Sequence, residues 1–86
     1  MDIQIGKVTH YYDKICVAVI EVMNQAIKLG DKIKISGHDK EHTQKVASLQ
    51  VEHKKVLEVA PGESCGMQVD EPVRPGDVLY LVGDGS

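Results

Sequence analysis

The chain has 86 residues, of which 42% are hydrophobic and 27% charged, and its net charge is −3. This length accommodates one domain with one core, and the composition argues against wholesale disorder. No apolar run approaches the roughly 18 to 20 residues that a membrane-spanning helix needs, which argues against a transmembrane or membrane-bound protein.

The first predicted element is a strand over Ile3–Tyr12, where apolar and polar residues alternate before a run of β-favouring residues. A second apolar segment, residues 15–23, is apolar on both alternating faces. A helix competes for this region, since residues 21–29 alone would pass as helical. β-Branched residues and the lack of an N-cap favour a strand that is buried on both sides.

The rest of the chain continues as strands and turns. A clean two-residue alternation predicts a strand over Lys32–Ser36, and residues 37–43 are expected to form a polar loop. Three more strands are predicted over 45–53, 64–69 and 78–82, and residues 83–86 are expected to fray.

One turn pattern recurs three times, each time with an acidic residue after a glycine and before a strand. The three copies are Leu29-Gly30-Asp31, Pro61-Gly62-Glu63 and Pro75-Gly76-Asp77. Proline presets φ near −65° and glycine accepts positive φ at the next position, as a type II turn requires. Six short strands separated by such turns predict a small closed antiparallel barrel.

No motif for catalysis is present. The sequence lacks a Gly-x-Ser-x-Gly elbow, and Ser64-Cys65 has no identifiable base. It also lacks both glycine-rich phosphate-binding motifs, so nucleotide hydrolysis is not expected. We therefore predict a chain without catalytic residues or cofactors.

The histidines and cysteines raise the question of a metal or a disulfide. His38 and His42 are four residues apart in a predicted loop, which does not place both rings on one side, so they are interpreted as exposed polar residues. Cys16 and Cys65 form no CxxC pair. With no signal peptide visible at the N-terminus, a cytoplasmic protein with free thiols is expected.

Charge is distributed unevenly along the chain. Residues 28–55 carry a net charge of +3 and residues 56–86 a net charge of −5. The basic segment, together with aromatic and histidine residues of the first strand, suggests a surface that contacts phosphates and stacks on bases, although a solvated lysine-rich face is the alternative. The candidate binding residues are His10, Tyr11, Tyr12, Lys32, Lys34, His38, Lys40, His42, Lys45, Lys54 and Lys55.

The order of motifs resembles the second, β-barrel domain of translational GTPases such as elongation factor Tu. A Gly-x-Val opens the first strand at Gly6, and Gly30-Asp31 precedes the third strand. Later, x-Gly-[Asp/Glu]-x-x-Gly matches Pro61 to Gly66, and [Ile/Val]-x-x-Gly-Asp-Val-Leu matches Val73 to Leu79. The resemblance covers about residues 3–82.

This resemblance implies a closed six-stranded antiparallel barrel over residues 1–86, without the GTPase domain. The corresponding hypothesis is a non-catalytic module that contacts RNA, the ribosome or a translation-related protein. The alternative is a protein-interaction accessory subunit of another enzyme, without nucleic-acid contact. A small-molecule or metal binder using His38 and His42 is a third possibility.

Overall fold

The structure is a computed structural model, which describes residues 3–37 and 40–82. Strands and turns make up these two ranges, as the sequence predicts for an all-β protein. No helix in them is long and apolar enough to cross a membrane. The predicted frayed tail at 83–86 lies outside the described residues.

Ten strands follow one another along the described chain. They are β1 (Ile3–Tyr12), β2 (Val17–Val22), β3 (Ile27–Lys28), β4 (Lys32–Ser36), β5 (Glu41–Lys45), β6 (Gln50–Val51), β7 (Lys54–Lys55), β8 (Glu58–Val59), β9 (Ser64–Gln68) and β10 (Val78–Leu81).

Eight of these strands form one antiparallel sheet in the order β5-β4-β10-β1-β2-β9-β6-β7, and β3 pairs with β8 in a second sheet. The prediction was six strands in one closed barrel. Within the described residues no strand pairing joins the edge strands β5 and β7, so barrel closure stays a prediction. Apart from β5, the additional strands have two residues each, which is too short to produce a detectable alternation in sequence.

The first and last strands are neighbours near the middle of the large sheet. β1 pairs with β10 so that Ile3 lies opposite Leu81, and on its other side β1 pairs with β2. The sheet is therefore held together by contacts between residues that are far apart in sequence.

The three glycine-acid turns form as predicted. Gly30, Gly62 and Gly76 have φ values of 88°, 92° and 100°. In each turn the amide of the acidic residue donates to the carbonyl three residues earlier, as Asp77 N does to Arg74 O at 3.0 Å. The Asp77 carboxylate also accepts the Arg74 amide at 3.0 Å, so the acid locks the turn that the glycine permits.

The core lies on one face of the large sheet and consists of aliphatic side chains with one methionine and one cysteine. In β2 the residues Ala18, Ile20 and Val22 are buried, while Val17 and Val19 on the opposite face are only half-buried. The strand prediction for this segment is confirmed and the helical alternative is wrong. Burial on both sides is also wrong, because no second layer covers the outer face of β2 in the described chain.

Two further predictions between residues 37 and 53 are wrong. Residues 41–43, expected in a loop, belong to β5 (Glu41–Lys45). Of the predicted strand 45–53, only Lys45, the last residue of β5, and Gln50–Val51 are in strands. β5 has a single buried residue, Gln44. An edge strand made of polar residues gives no hydrophobic alternation, so sequence patterning misses it.

Gln44 is the buried polar residue that attaches β5 to the chain after β9. Its Oε1 accepts the Asp70 amide at 2.8 Å, and its Nε2 donates to the Gln68 carbonyl at 3.2 Å. Because β5 and β9 are not neighbours in the sheet order, β5 is fastened to this segment by a side chain instead of a strand pair. His42 Nε2 lies 3.0 Å from the same Gln44 Oε1.

Candidate functional site

A groove of about 610 Å³ lies on the outer face of the sheet, where β2, β9 and the β6–β7 hairpin meet. This volume falls within the range of about 300 to 1,000 Å³ that is usual for ligand sites. The residues lining the groove come from four segments and are Tyr12, Ile15, Val17, Val19, Gln50, Val51, Glu52, His53, Glu63, Ser64, Cys65 and Gly66.

The floor of the groove is apolar and contains a glycine. The strand registers place Val19 opposite Gly66, and Gly66 opposite Gln50. A Cβ atom at Gly66 would lie 3.3 Å from Val17 Cγ1, which is a crowded contact. The side chain of Val17 therefore leans over Gly66, and a larger residue at this position would have to displace it.

One end of the groove is formed by the turn between β1 and β2. Tyr12 is 50% exposed and Ile15 is 62% exposed. The Ile15 amide donates to the Tyr12 carbonyl at 3.3 Å, and Cys16 takes a positive φ of 56° to return the chain into β2. This turn places a largely exposed apolar side chain, that of Ile15, beside the groove.

One side of the groove is formed by the tight turn of the β6–β7 hairpin. Glu52 and His53 both have positive φ, at 52° and 67°. This is the backbone of a type I′ turn, which normally uses Asn and Gly, and non-glycine residues adopt it at a cost of about 1 to 2 kcal/mol each. The strongly twisted turn carries the hairpin away from β9.

Strand pairing between β9 and the hairpin stops after one residue pair, Gln50 with Gly66. The Glu63 carbonyl accepts the Val22 amide at 2.9 Å, and the Val69 amide donates to the Cys16 carbonyl at 2.9 Å, so odd-numbered residues of β9 point their peptide groups at β2. Peptide groups alternate in direction along a strand, so that of Ser64 points toward the hairpin. There it meets no backbone partner among the described residues.

The charged groups on the groove are acidic. Its lining includes the carboxylates of Glu52, in the hairpin turn, and Glu63, directly before β9, and both residues are exposed. The lining contains neither Lys nor Arg. The groove thus combines an apolar floor with a negative rim. Such a surface favours a ligand that presents apolar groups between positive charges.

The two cysteines differ in chemistry. Both are free thiols, Cys16 exposed and Cys65 buried. Burial raises the pKa of Cys65 to about 11, so at neutral pH it remains a thiol and is a poor nucleophile. On the other side of the β1–β2 turn, desolvation and then the neighbouring Cys16 raise the pKa of Tyr11 above its usual value.

The predicted binding residues fall into separate groups. Lys32, Lys34 and Lys45 share the outer face of β4 and β5, with Lys32 directly opposite Lys45. Lys34 Nζ lies 4.0 Å from the Glu41 carboxylate and 5.4 Å from the centroid of the Tyr80 ring. Lys34 is therefore held partly by its own neighbours.

The other predicted residues lie elsewhere. Lys54 and Lys55 form β7, at the opposite end of the sheet order, and Lys40 is exposed before β5. His42 is half-buried and faces inward beside Gln44. His38 lies outside the described residues. That the predicted binding residues form one binding surface stays a prediction.

The three residues at the end of β1 divide between two surfaces. The rings of His10 and Tyr12 are 5.7 Å apart between centroids, and Tyr12 lines the groove. Tyr11 is half-buried and packs against the core. Sequence analysis missed Ile15, Val17, Val19 and Gly66, although apolar residues on both alternations of β2 were a usable signal for an apolar outer face.

Histidine, cysteine, aspartate and glutamate side chains do not gather in groups of three or more within the described chain. The hypothesis of a metal site on His38 and His42 stays a prediction, because His38 lies outside the described residues.

No protein-family model matches the chain. The chain is similar to curated proteins named as proteases. It is 38% identical over 81 residues to an uncharacterized protease of Methanocaldococcus jannaschii and 33% identical over 79 residues to a collagenase of Porphyromonas gingivalis. These matches cover 93% and 91% of this chain but 20% and 19% of the relatives. The chain therefore spans about a fifth of the length of the curated relatives it matches.

Solved structures with the same fold are two crystal structures of the C-terminal domain of a putative U32 peptidase from Geobacillus thermoleovorans. Their TM-scores are 0.84 and 0.85, at 18% and 17% identity. The matches cover 90% and 92% of this chain, and 96% and 91% of those chains. The fold is thus one that also occurs as the terminal domain of a larger protein.

These findings correct the resemblance to translation factors. These relatives and structural neighbours are named as a protease, a collagenase and a peptidase domain, and none of the three names is that of a translation factor. The hypothesis of an elongation-factor-like module that contacts RNA or the ribosome is therefore wrong. The motifs behind it were glycine-acid turns, which fix the backbone of many small β folds and carry no information about a ligand.

Proposed function

We propose that the chain is a non-catalytic accessory domain that acts together with the catalytic part of a peptidase. The observation that carries the proposal is the 38% identity over nearly the whole chain to one fifth of a protease. The remaining four fifths of that relative provide ample chain for a separate catalytic unit. This corresponds to the accessory-subunit alternative of the sequence analysis.

The chemistry of the groove supports a binding role over a catalytic one. Its cysteine, Cys65, is held as a thiol by burial, and its carboxylates are on exposed turns and banks where water screens them. An apolar floor with a charged rim is suited to holding a ligand, while the reaction takes place elsewhere.

A replacement experiment in the Porphyromonas gingivalis collagenase tests this function. Three versions are compared: the intact protein, one lacking the 79-residue matched segment, and one in which this chain replaces that segment. Cleavage of collagen is measured alongside the melting temperature of each version. A version carrying an unrelated β domain of equal length is the control.

We expect deletion to lower cleavage, this chain to restore it at least in part, and the unrelated domain not to restore it. The isolated chain is expected to cleave nothing. Cleavage by the isolated chain, or full activity after deletion, would refute the proposed function.

A further inference from the structure

The groove contains a backbone position at which a peptide strand can pair. The Ser64 peptide group points into the space between β9 and the β6–β7 hairpin, one step beyond the Gln50–Gly66 pair. An antiparallel neighbour there would exchange two hydrogen bonds with Ser64. Addition of an extended peptide to an incomplete ladder is a common mode of peptide recognition.

The side chains around this position suit an extended peptide. Alternate side chains of a bound strand point toward the sheet, where Val17, Val19 and Gly66 form an apolar floor on the outer face. Tyr12 and Ile15 extend the apolar surface at the end of the groove. A small or branched apolar residue of the peptide would lie against this surface.

The rim defines the charge of the occupant. Glu52 in the hairpin turn and Glu63 directly before β9 both line the groove, and its lining contains no Lys or Arg. Complementary charge therefore favours a peptide with Lys or Arg on either side of the apolar residue.

A second copy of the chain fits this site less well. The edge strands that a second copy would have to present are β5, which carries Glu41 and Lys45, and β7, which is Lys54–Lys55. β5 would bring Glu41 against the acidic rim, and β7, with two residues, is too short to place an apolar residue between two positive charges. A mobile segment of a substrate protein has no such restriction.

We propose that the groove binds an extended segment of a protein substrate, with an apolar residue over Gly66, Lys or Arg at its flanks, and its backbone paired with Ser64. This proposal rests on the proposed function, because it assigns the accessory domain the task of holding the chain that the catalytic unit cleaves.

Synthetic peptides test the proposal on the full 86-residue chain. The probes are fluorescein-labelled Arg-Arg-Val-Ala-Val-Ala-Arg-Arg, the same peptide with Glu in place of Arg, and the Arg peptide with one central amide N-methylated. Binding is measured by fluorescence anisotropy. We expect the Glu peptide and the N-methylated peptide each to bind about tenfold more weakly than the Arg peptide.

A matched pair of variants isolates the main-chain contact. Ser64→Pro removes an amide that makes no ladder bond to β2, whereas Ser64→Ala keeps it. The first is expected to weaken binding about tenfold and the second less than about twofold. Amide chemical shifts in the wild-type chain should move at Ser64 and Gly66 on titration.

A second pair keeps the test valid if Ser64→Pro fails to fold. Ile15→Lys places a positive charge at the exposed end of the groove and should weaken binding of the Arg peptide at least fivefold, an effect on the order of one desolvated apolar contact plus charge repulsion. Leu57→Lys, at a residue that is 76% exposed and does not line the groove, should leave it unchanged.

Three results overturn the proposal: no binding of the Arg peptide at about 1 mM, equal binding of the Arg and Glu peptides, or shift changes away from the groove. A wild-type dimer in sedimentation that Ile15→Lys dissociates also overturns it, since the groove is then an interface between copies. If no peptide binds but the collagenase replacement still restores cleavage, the accessory function stands and the substrate groove alone is rejected.

Discussion

The two ends of the large sheet are attached to the same strand, β9, in different ways. At one end the side chain of Gln44 on β5 bonds to the backbone of Gln68 and Asp70. At the other end the β6–β7 hairpin reaches β9 through a single residue pair at Gly66 and then turns away. The backbone groups at one end of β9 thus have hydrogen-bond partners, whereas the Ser64 peptide group at the other end has no backbone partner among the described residues. The difference indicates that a ligand is more easily accommodated at the hairpin end.

Hydrogen exchange tests the open end most directly and has the largest expected effect. Cys65 pairs with Ile20, while the Ser64 amide points at the gap. We expect the Ser64 amide to exchange about 1,000-fold faster than that of Cys65, a difference equivalent to about 4 kcal/mol in opening free energy. Measurement by NMR would contradict the open ladder if Ser64 were as protected as Gly66.

The saturated end is tested by Gln44→Leu. This change leaves the Asp70 amide and the Gln68 carbonyl without their buried partner, and we expect the free energy of unfolding to fall by about 2 to 4 kcal/mol. Urea unfolding provides the measurement. Thr43→Leu, at the exposed neighbouring position, is the control and should change stability by less than about 0.5 kcal/mol. Equal effects of the two variants would show that Gln44 does not fasten β5.

The core beneath the gap can be probed through Cys65. Its pKa is raised by burial to about 11, above an unfolded value near 8.5. A raised pKa favours folding while the thiol is protonated, so its contribution is complete below about pH 8.5 and is lost as the pH rises through about 11. We expect a loss of about 2 to 3 kcal/mol by pH 10.5.

Comparison with Cys65→Ala isolates this contribution from the titration of lysines and tyrosines. Urea midpoints of both proteins are measured at pH 7.5 and 10.5. If the two proteins lose stability equally, the gap admits water to the core and Cys65 is not shielded.

The smallest effect is expected at the hairpin turn. His53 has positive φ, so His53→Gly should relieve strain and stabilise the chain by about 0.5 to 1 kcal/mol. Lys54→Gly, at the adjacent strand residue, should instead destabilise it by about 0.5 to 1 kcal/mol. Thermal unfolding of both variants gives the sign of each change in stability. A loss of stability in His53→Gly would contradict the turn geometry.

Local backbone chemistry explains which parts of the fold could be predicted. Gly30, Gly62 and Gly76 define their turns through positive φ alone, and the alternation in Lys32–Ser36 defines β4. β5 could not be predicted because its single buried residue is a glutamine, whose hydrogen bonds go to residues 24 and 26 positions away. No sequence window of strand length contains that information.

The groove escaped prediction for a related reason. Val17, Val19 and Gly66 lie side by side in its floor because of the register between β2 and β9. The position of its hairpin side depends on where the pairing between β6 and β9 stops. A register is a property of two distant segments and cannot be obtained from either alone. The prediction from positive charge instead selected lysines that lie at both ends of the sheet.

The pairing of Ile3 with Leu81 has a practical consequence. Antiparallel partners are about 5 Å apart between Cα atoms, so the described chain enters and leaves the fold at almost one point. Such a module can be spliced into a surface loop of a carrier protein without separating the two loop ends, or be circularly permuted with a short connector. A donor and acceptor dye pair placed at these two positions would report its unfolding as a loss of energy transfer.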